Sequence, residues 1–267
     1  MFIWDSHIHS DISFDGKFSI DEFANKAREL GLSGITFTEH YDIYDGMNPH
    51  DEKAKPFDKE EYKVKLSKAK ETFGDYIKAG VEIVLRPDSK NEISEIAGFF
   101  DYDFIIGSSH VVCMKNISHD YSFYSGLTKE QAYEKYLKEV SLNIALCHKD
   151  FDVYGHLDYA ARYGKYDEPE MECSDTLDSV LRLLIENGKG IEVNTASFRL
   201  GLGEPHPNRK ILKRYKELGG EIITLGSDAH VPEHLAFSFK EAGEILKDTG
   251  FKYYAVYSGR KPEFIKL

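Results

Sequence analysis

The residues best suited to chemistry begin in a short N-terminal stretch, WDSHIHSDISFDGKF, residues 4–18. His7 and His9 stand one residue apart, with Asp5 before them and Asp15 after. Imidazole and carboxylate together suit zinc, iron or manganese. On an extended chain residues i and i+2 point to the same side, so His7 and His9 project together. Asp228 and His230, in GSDAH, repeat that spacing near the other end of the chain. Between the two pairs lie His40 in GITFTEH, Glu82 in GVEIVL, His110 in IIGSSH, His156 in YGHLDY and Asn194 in GIEVNT.

These residues need elements that bring them to one place. Strand-like and helix-like segments alternate along the chain. Strands are expected over residues 2–9, 34–40, 80–85, 103–112, 151–159, 190–198, 220–230 and 253–257. Helices are expected over 19–30, 57–77, 89–99, 128–146, 175–187, 207–218 and 233–247. Ser19 with Glu22, and Thr128 with Gln131, have the spacing of reciprocal N-terminal caps. Strands alternating with helices imply a parallel sheet, and apolar runs such as IITLG fit strands covered on both faces. Seven or eight such units, with no linker or low-complexity break, predict one α/β domain over residues 1–267: a closed or nearly closed β/α barrel. An open doubly wound sheet is the alternative, but no glycine-rich nucleotide-binding motif supports it.

In such barrels the chemistry sits at the C-terminal rim of the strands. Six of the eleven histidines fall on expected strand ends, whereas His50, His119, His148, His206 and His234 scatter over helices and loops. The six histidines with Asp15, Glu82 and Asp228 are nine candidate ligands. One ion takes roughly three or four protein ligands. The set therefore implies two or three ions and a bridging carboxylate, the usual arrangement for hydrolysing a phosphate ester. A serine nucleophile is disfavoured because no G-x-S-x-G elbow is present. The three cysteines, Cys113, Cys147 and Cys173, form no zinc or redox motif and point to a reduced compartment.

Composition narrows the partners. The net charge is −12, and the lysines between 59 and 70 alternate with glutamates, so no basic groove for nucleic acid or anionic lipid stands out. No apolar run is long enough to span a membrane, and the N-terminus lacks a signal-peptide pattern. The expectation is a cytoplasmic protein with neither nucleic acid nor a membrane as partner, its charge being compatible with a small anionic substrate.

Taken in order, DSHIHSDISFDG, GITFTEH, GVEI, IIGSSH, YGHLDY and GSDAH resemble the PHP (polymerase and histidinol phosphatase) superfamily. FTEHYD and NTASFRLG are similar to its stand-alone histidinol-phosphate phosphatase branch. The resemblance implies a distorted (β/α)7 barrel with three divalent ions at the C-terminal rim. It implies one ion on His7, His9, Glu82 and Asp228, a second sharing Glu82 with His110 and His156, and a third on Asp15, His40 and His230. Some members carry histidine where this chain has Asp15. The carboxylate makes the third site harder, favouring manganese or iron over zinc.

The implied reaction is hydrolysis of L-histidinol phosphate by a hydroxide bridging two ions, with Glu82, Asp228 and His230 at the reacting centre. Arg162 and Arg199 follow rim strands and suit phosphate oxygens by their fork geometry. Asn194 is a further substrate contact. Asp42 and Asp45, after His40, are expected to meet the substrate's cationic groups, and the loop around 43–57 is a candidate lid. Asp5 is either a partner that orients an imidazole or a strand-edge residue. Nucleotide, nucleic-acid or phosphotyrosine hydrolysis, and metal binding without catalysis, are the competing readings.

Overall fold

Polar residues can occupy the mouth of this fold because apolar residues close its other end and its outer wall. The structure, a computed structural model, describes residues 3–43, 56–167 and 170–267. The chain opens with β1 (Trp4–Ile8), α1 (Ile20–Glu29), β2 (Gly34–Tyr41), α2 (Lys59–Phe73), β3 (Ile77–Val84), α3 (Lys90–Ala97) and β4 (Phe104–Ser108). A small ladder of β5 (Val111–Val112) and β6 (Lys115–Asn116) follows, then α4 (Lys129–Cys147), β7 (Val153–Tyr154) and α5 (Tyr159–Tyr163). The remainder is α6 (Asp175–Glu186), β8 (Gly190–Asn194), α7 (Ala196–Arg199), α8 (Arg209–Glu217), β9 (Ile223–Gly226), α9 (Phe239–Asp248), β10 (Tyr253–Ser258) and β11 (Lys261–Lys266).

Seven parallel strands pair in the order β1-β2-β3-β4-β7-β8-β9. The ring is nearly closed where Ile8 bridges Ala229 in parallel, and the His9 N–H donates to the Ala229 carbonyl at 2.9 Å. The expected parallel barrel is therefore the architecture observed. Outward-facing Phe37, Ile83, Ile105, Ile191 and Val193 are fully buried beneath the apolar faces of the helices, such as Phe23, Ala24 and Ala27 of α1 and Leu177, Val180 and Leu184 of α6. Both expected capping boxes are present, with Ser19 on Glu22 and Thr128 on Gln131.

Several boundaries differ from expectation. The helix expected to reach residue 77 ends at Phe73, and β3 begins at Ile77 rather than residue 80. Gly80 does not start the strand; it lies inside it, where a Cβ would come within 2.8 Å of the Phe104 carbonyl oxygen. Glu82 is thus well along β3, not near its start. The strand expected over 151–159 is the two residues of β7, and Tyr159 already begins α5. The strand expected over 253–257 adds no eighth barrel unit. It is β10, paired antiparallel with β11, which sequence periodicity had not revealed.

A register irregularity in β1 aims the first histidine pair. Asp5 pairs with Ile35 and Ile8 with Phe37, so three steps of β1 span two of β2. Such a bulge exchanges the faces of the residues on either side of it. Trp4, opposite Gly34, therefore shares the interior with His7 and His9. Its indole Nε1–H donates to Thr36 Oγ1 at 2.8 Å, and a Cβ on Gly34 would strike its ring.

The hairpin β10–β11 stoppers the end opposite the histidines. Ala255 and Tyr257 join Phe104, Ile106 and Val153 in a separate apolar cluster, with the Tyr257 and Phe104 rings 4.9 Å apart. Arg260 holds the hairpin down by donating from Nε to Asp152 Oδ2 at 2.6 Å. Tyr257→Ala should lower unfolding free energy by about 3–5 kcal/mol, as expected for truncating a buried aromatic. Metal content per folded chain should not change. Denaturant melts with elemental analysis check both; a variant as stable as wild type would show that the hairpin is dispensable.

Candidate metal centre

Glu82 is the hub of the barrel mouth. It is 1% exposed, and its two carboxylate oxygens face different groups of histidines. Oε1 lies 3.0 Å from His156 Nε2 and 3.5 Å from His110 Nε2, and accepts from the Ser108 hydroxyl at 2.6 Å. Oε2 lies 3.3 Å from His7 Nε2, 3.6 Å from His9 Nε2 and 3.0 Å from His40 Nδ1. Asp228 Oδ1 adds to the second group, 3.4 Å from His9 and 3.7 Å from His7. A third group forms at the opening, where Asp15 Oδ2 lies 3.1 Å from His230 Nε2 and 3.6 Å from His40 Nε2. All nine residues singled out from the sequence meet here.

The donor set fits metal ions. Ligand atoms of His7, His9 and Glu82 lie within 4.8 Å of one another, as do those of Glu82, His110 and His156, and those of His9, His40 and His230. Nε2 atoms of His7 and His9 stand 2.9 Å apart, and those of His110 and His156 3.3 Å apart. Nitrogens facing each other this closely are bridged either by the N–H of one ring or by a shared metal ion. Buried His156 Nδ1 and Asp42 Oδ1 have no hydrogen-bond partner among the described residues. The backbone is held in uncommon conformations at two of the nine residues, His156 (φ 24°) and Asp228 (φ 56°).

Charges in the cluster are strongly coupled. Burial disfavours the Glu82 and Asp228 carboxylates, yet neighbouring imidazoles, His7 foremost, hold both well below the usual carboxylate range. Burial likewise works against protonated His40, but Glu82 and Asp15 raise its pKa to about 10. His7 is raised against burial by Glu192 and Glu82, whereas burial and the cations of His40 and His230 push His9 well below its ordinary value. A ring favoured as a cation must lose its proton to bind metal.

Of the other expected residues, Arg162 and Arg199 do converge on the mouth. Arg162 Nη1 lies 3.6 Å from Asp228 Oδ2, and its Nη2 donates to Asn194 Oδ1 at 3.3 Å. Arg199 donates from both Nη atoms to the Ser227 and Asp228 carbonyls, at 2.7 and 2.9 Å. Asn194 is engaged within the protein, its amide donating to Glu192 and Asp228, each at 3.3 Å. Asp42 is buried with Oδ1 3.8 Å from His40 Nδ1, and its donor atoms group with His40 and His110. It lies in the cluster's own wall, closer in than an outer pocket lining. Asp45, and residues 44–55 of the candidate lid over 43–57, lie outside the described residues. Asp5 touches no imidazole ring. It accepts from the Ser227 N–H and hydroxyl and from the Ala236 and His7 N–H groups, tying β1 to the turn after β9.

Sequence reasoning passed over Glu192. Its Oε1 lies 2.5 Å from His7 Nδ1, and its Oε2 accepts the His156 N–H at 3.0 Å. A carboxylate on Nδ1 leaves Nε2 of His7 facing the cluster. Room for it comes from Gly226, where a Cβ would lie 2.3 Å from Glu192 Oε1 and 2.4 Å from His7 Cβ. One charged residue inside the apolar strand GIEVN was the available cue.

The PHP domain family matches residues 5–196. The chain belongs to this family. Two PHP relatives align along nearly their whole length. The probable histidinol-phosphatase of Thermotoga maritima is 32% identical over 268 residues, covering 98% of this chain and 99% of the relative. The histidinol-phosphatase of Lactococcus lactis is 31% identical over 266 residues, covering 96% and 95%. A crystal structure of histidinol phosphate phosphatase from Lactococcus lactis, complexed with zinc, L-histidinol and phosphate, superposes with a TM-score of 0.85 at 30% identity, covering 98% of both chains. Metal binding at the barrel mouth thus agrees with a zinc-bound relative of the same fold.

If zinc takes the place of protons in this cluster, its uptake should release them from the rings favoured as cations, His40 (pKa about 10) and His7 among them. Apparent zinc affinity should then rise as pH goes from 7 to 9. Calorimetric titration in buffers of different ionisation enthalpy would register the release. Buffer-independent heats and a flat pH profile would contradict it.

Proposed function

We propose that this chain is a metal-dependent phosphatase that hydrolyses L-histidinol phosphate to L-histidinol and inorganic phosphate. The observation that carries the reading is the zinc, L-histidinol and phosphate complex of a relative that matches this chain end to end. The buried donors centred on Glu82 support it independently, because a pair of ions sharing a carboxylate suits phosphoryl transfer.

In this reading His7, His9, Glu82 and Asp228 hold one ion, Glu82, His110 and His156 a second, and Asp15, His40 and His230 a third. Zinc, manganese and iron all suit these donors, the carboxylate of Asp15 making the third site the hardest. Bound divalent ions supply Lewis acidity toward phosphoryl oxygens and make water nucleophilic at neutral pH. The protein's own part is placement. Glu82 presents one oxygen to each of two ligand groups and so sets their separation. Arg162 and Arg199 bring guanidinium groups to the phosphate, Arg162 with a buried Nε that has no hydrogen-bond partner. Asn194 steadies Arg162 and Asp228 together. Asp228 and His230 flank the approach, with the His230 side chain 30% exposed and the most open of the six imidazoles. Asp42, in the cluster wall beside His40 and His110, reaches the leaving group's cationic end only from the metal side of the pocket. The domain acting this way spans residues 1–267.

Phosphate release from L-histidinol phosphate tests the reading. Arg162→Ala and Arg199→Ala should each lower kcat/KM by roughly 10²-fold or more, the usual loss when a charged group contacting the transition state is removed. His9→Asn and Asp228→Asn should abolish turnover. Metal-loaded wild type that ignores L-histidinol phosphate but turns over phosphotyrosine peptides or nucleotides would overturn the substrate assignment.

A further inference from the structure

Glu39 is a buried carboxylate beside the metal centre that faces away from it. It neighbours His40 on β2, so its side chain leaves the opposite face of the strand and lies under the loop that follows β1. It is fully buried, and no lysine or arginine among the described residues pairs with it. A carboxylate in that position must be satisfied by hydrogen bonds. Two serines provide them. Ser10 donates its hydroxyl to Oε1 at 2.6 Å and its N–H to Oε2 at 3.0 Å, and Ser13 donates its hydroxyl to Oε2 at 2.5 Å.

A serine hydroxyl has one proton. With that of Ser13 committed to Glu39, its oxygen can only accept from its remaining neighbours. Those neighbours are the His40 N–H, at 3.0 Å, and Nδ1 of His9, at 3.3 Å. His9 must then carry its proton on Nδ1 and present a bare Nε2, the atom that faces His7, Glu82 and Asp228. We infer that Glu39 is a positioning residue for the metal centre. Acting through the Ser13 hydroxyl, it fixes the His9 tautomer that can ligate, and through the same oxygen it holds the backbone of His40. His7 is oriented directly by Glu192, and His9 at one remove by Glu39. The two imidazoles of the N-terminal pair are thus aimed by carboxylates on different strands.

The test uses full-length, zinc-loaded protein and does not depend on any substrate, so its outcome is separate from that of the phosphatase reading. Ser13→Ala removes the relay atom, Glu39→Gln keeps the shape but lets an amide donate to Ser13, and Ser10→Ala loosens the same carboxylate without touching His9. Chelator competition should show zinc held roughly 10–100-fold more weakly in Ser13→Ala and Glu39→Gln, the range expected when a group orienting a ligand is lost. Ser10→Ala should stay within about threefold of wild type on the same scale. In protein labelled with ¹⁵N-histidine, the exchange-protected His9 Nδ1–H resonance should persist in wild type and Ser10→Ala and be lost in Ser13→Ala. If Ser13→Ala does not fold, Glu39→Gln decides by its zinc affinity. Equal weakening in Ser10→Ala and Ser13→Ala with an unchanged His9 resonance, or wild-type affinity in Ser13→Ala or Glu39→Gln, would overturn the inference.

Discussion

The mouth of this barrel depends on one buried carboxylate surrounded by imidazoles. Glu82 has almost no access to solvent, and an isolated carboxylate in such a place would be strongly destabilising. Its charge is tolerated because five imidazoles lie within 3.6 Å of its two oxygens. Those imidazoles in turn crowd one another so closely that groups of three ligand atoms lie within 4.8 Å of one another, a spacing that suits shared metal ions. Neither half of the arrangement stands alone. The carboxylate needs the histidines, the histidines need the carboxylate to set their spacing, and both need a frame that holds them in register.

That frame is built to keep polar groups at one end. Along the interior the side chains change from Trp4, Phe104 and Val153, closed over by Ala255 and Tyr257, to Glu82, Glu192 and the histidines. The bulge in β1 is what allows Trp4 to fill the base while His7 and His9 face the mouth from the same strand. Glycine at 226 admits the Glu192 carboxylate beside His7. Asp5 spends its hydrogen bonds on Ser227 and Ala236, joining the first strand to the turn that carries Asp228 and His230. The contacts that close the barrel are therefore also the ones that bring the first ligand group together.

Much of this was readable from the residues because most of the ligands interrupt an apolar segment at or just beyond a strand end, where a polar side chain has no packing role. His7, His9, His40, His110, His156 and Asp228 all announce themselves in that way, and a two-residue spacing links His7 with His9 and Asp228 with His230. What escaped notice lacks a local pattern. Glu192 is 185 positions from the imidazole it orients, and only the closed barrel brings them together. Asp5 sits beside the histidines yet serves the backbone across the barrel seam. The start of β3 was misplaced because α2 ends at Phe73 with Gly74 as its cap and one 3-10 turn leads directly into the strand, whereas Gly80, inside the strand, reads as the stop before it. The final strand looked like an eighth barrel unit since a β-rich segment does not reveal whether its partner lies before or after it.

The most direct test of Glu82 as the hub is a count of metal per chain in Glu82→Gln, by elemental analysis of folded protein purified without chelator. Wild type should hold about three ions, at three or four protein ligands each. The variant should keep at most about one, the ion of Asp15, His40 and His230, because both sites that use the carboxylate lose it together. A Glu82→Gln protein with the full wild-type complement would contradict the account.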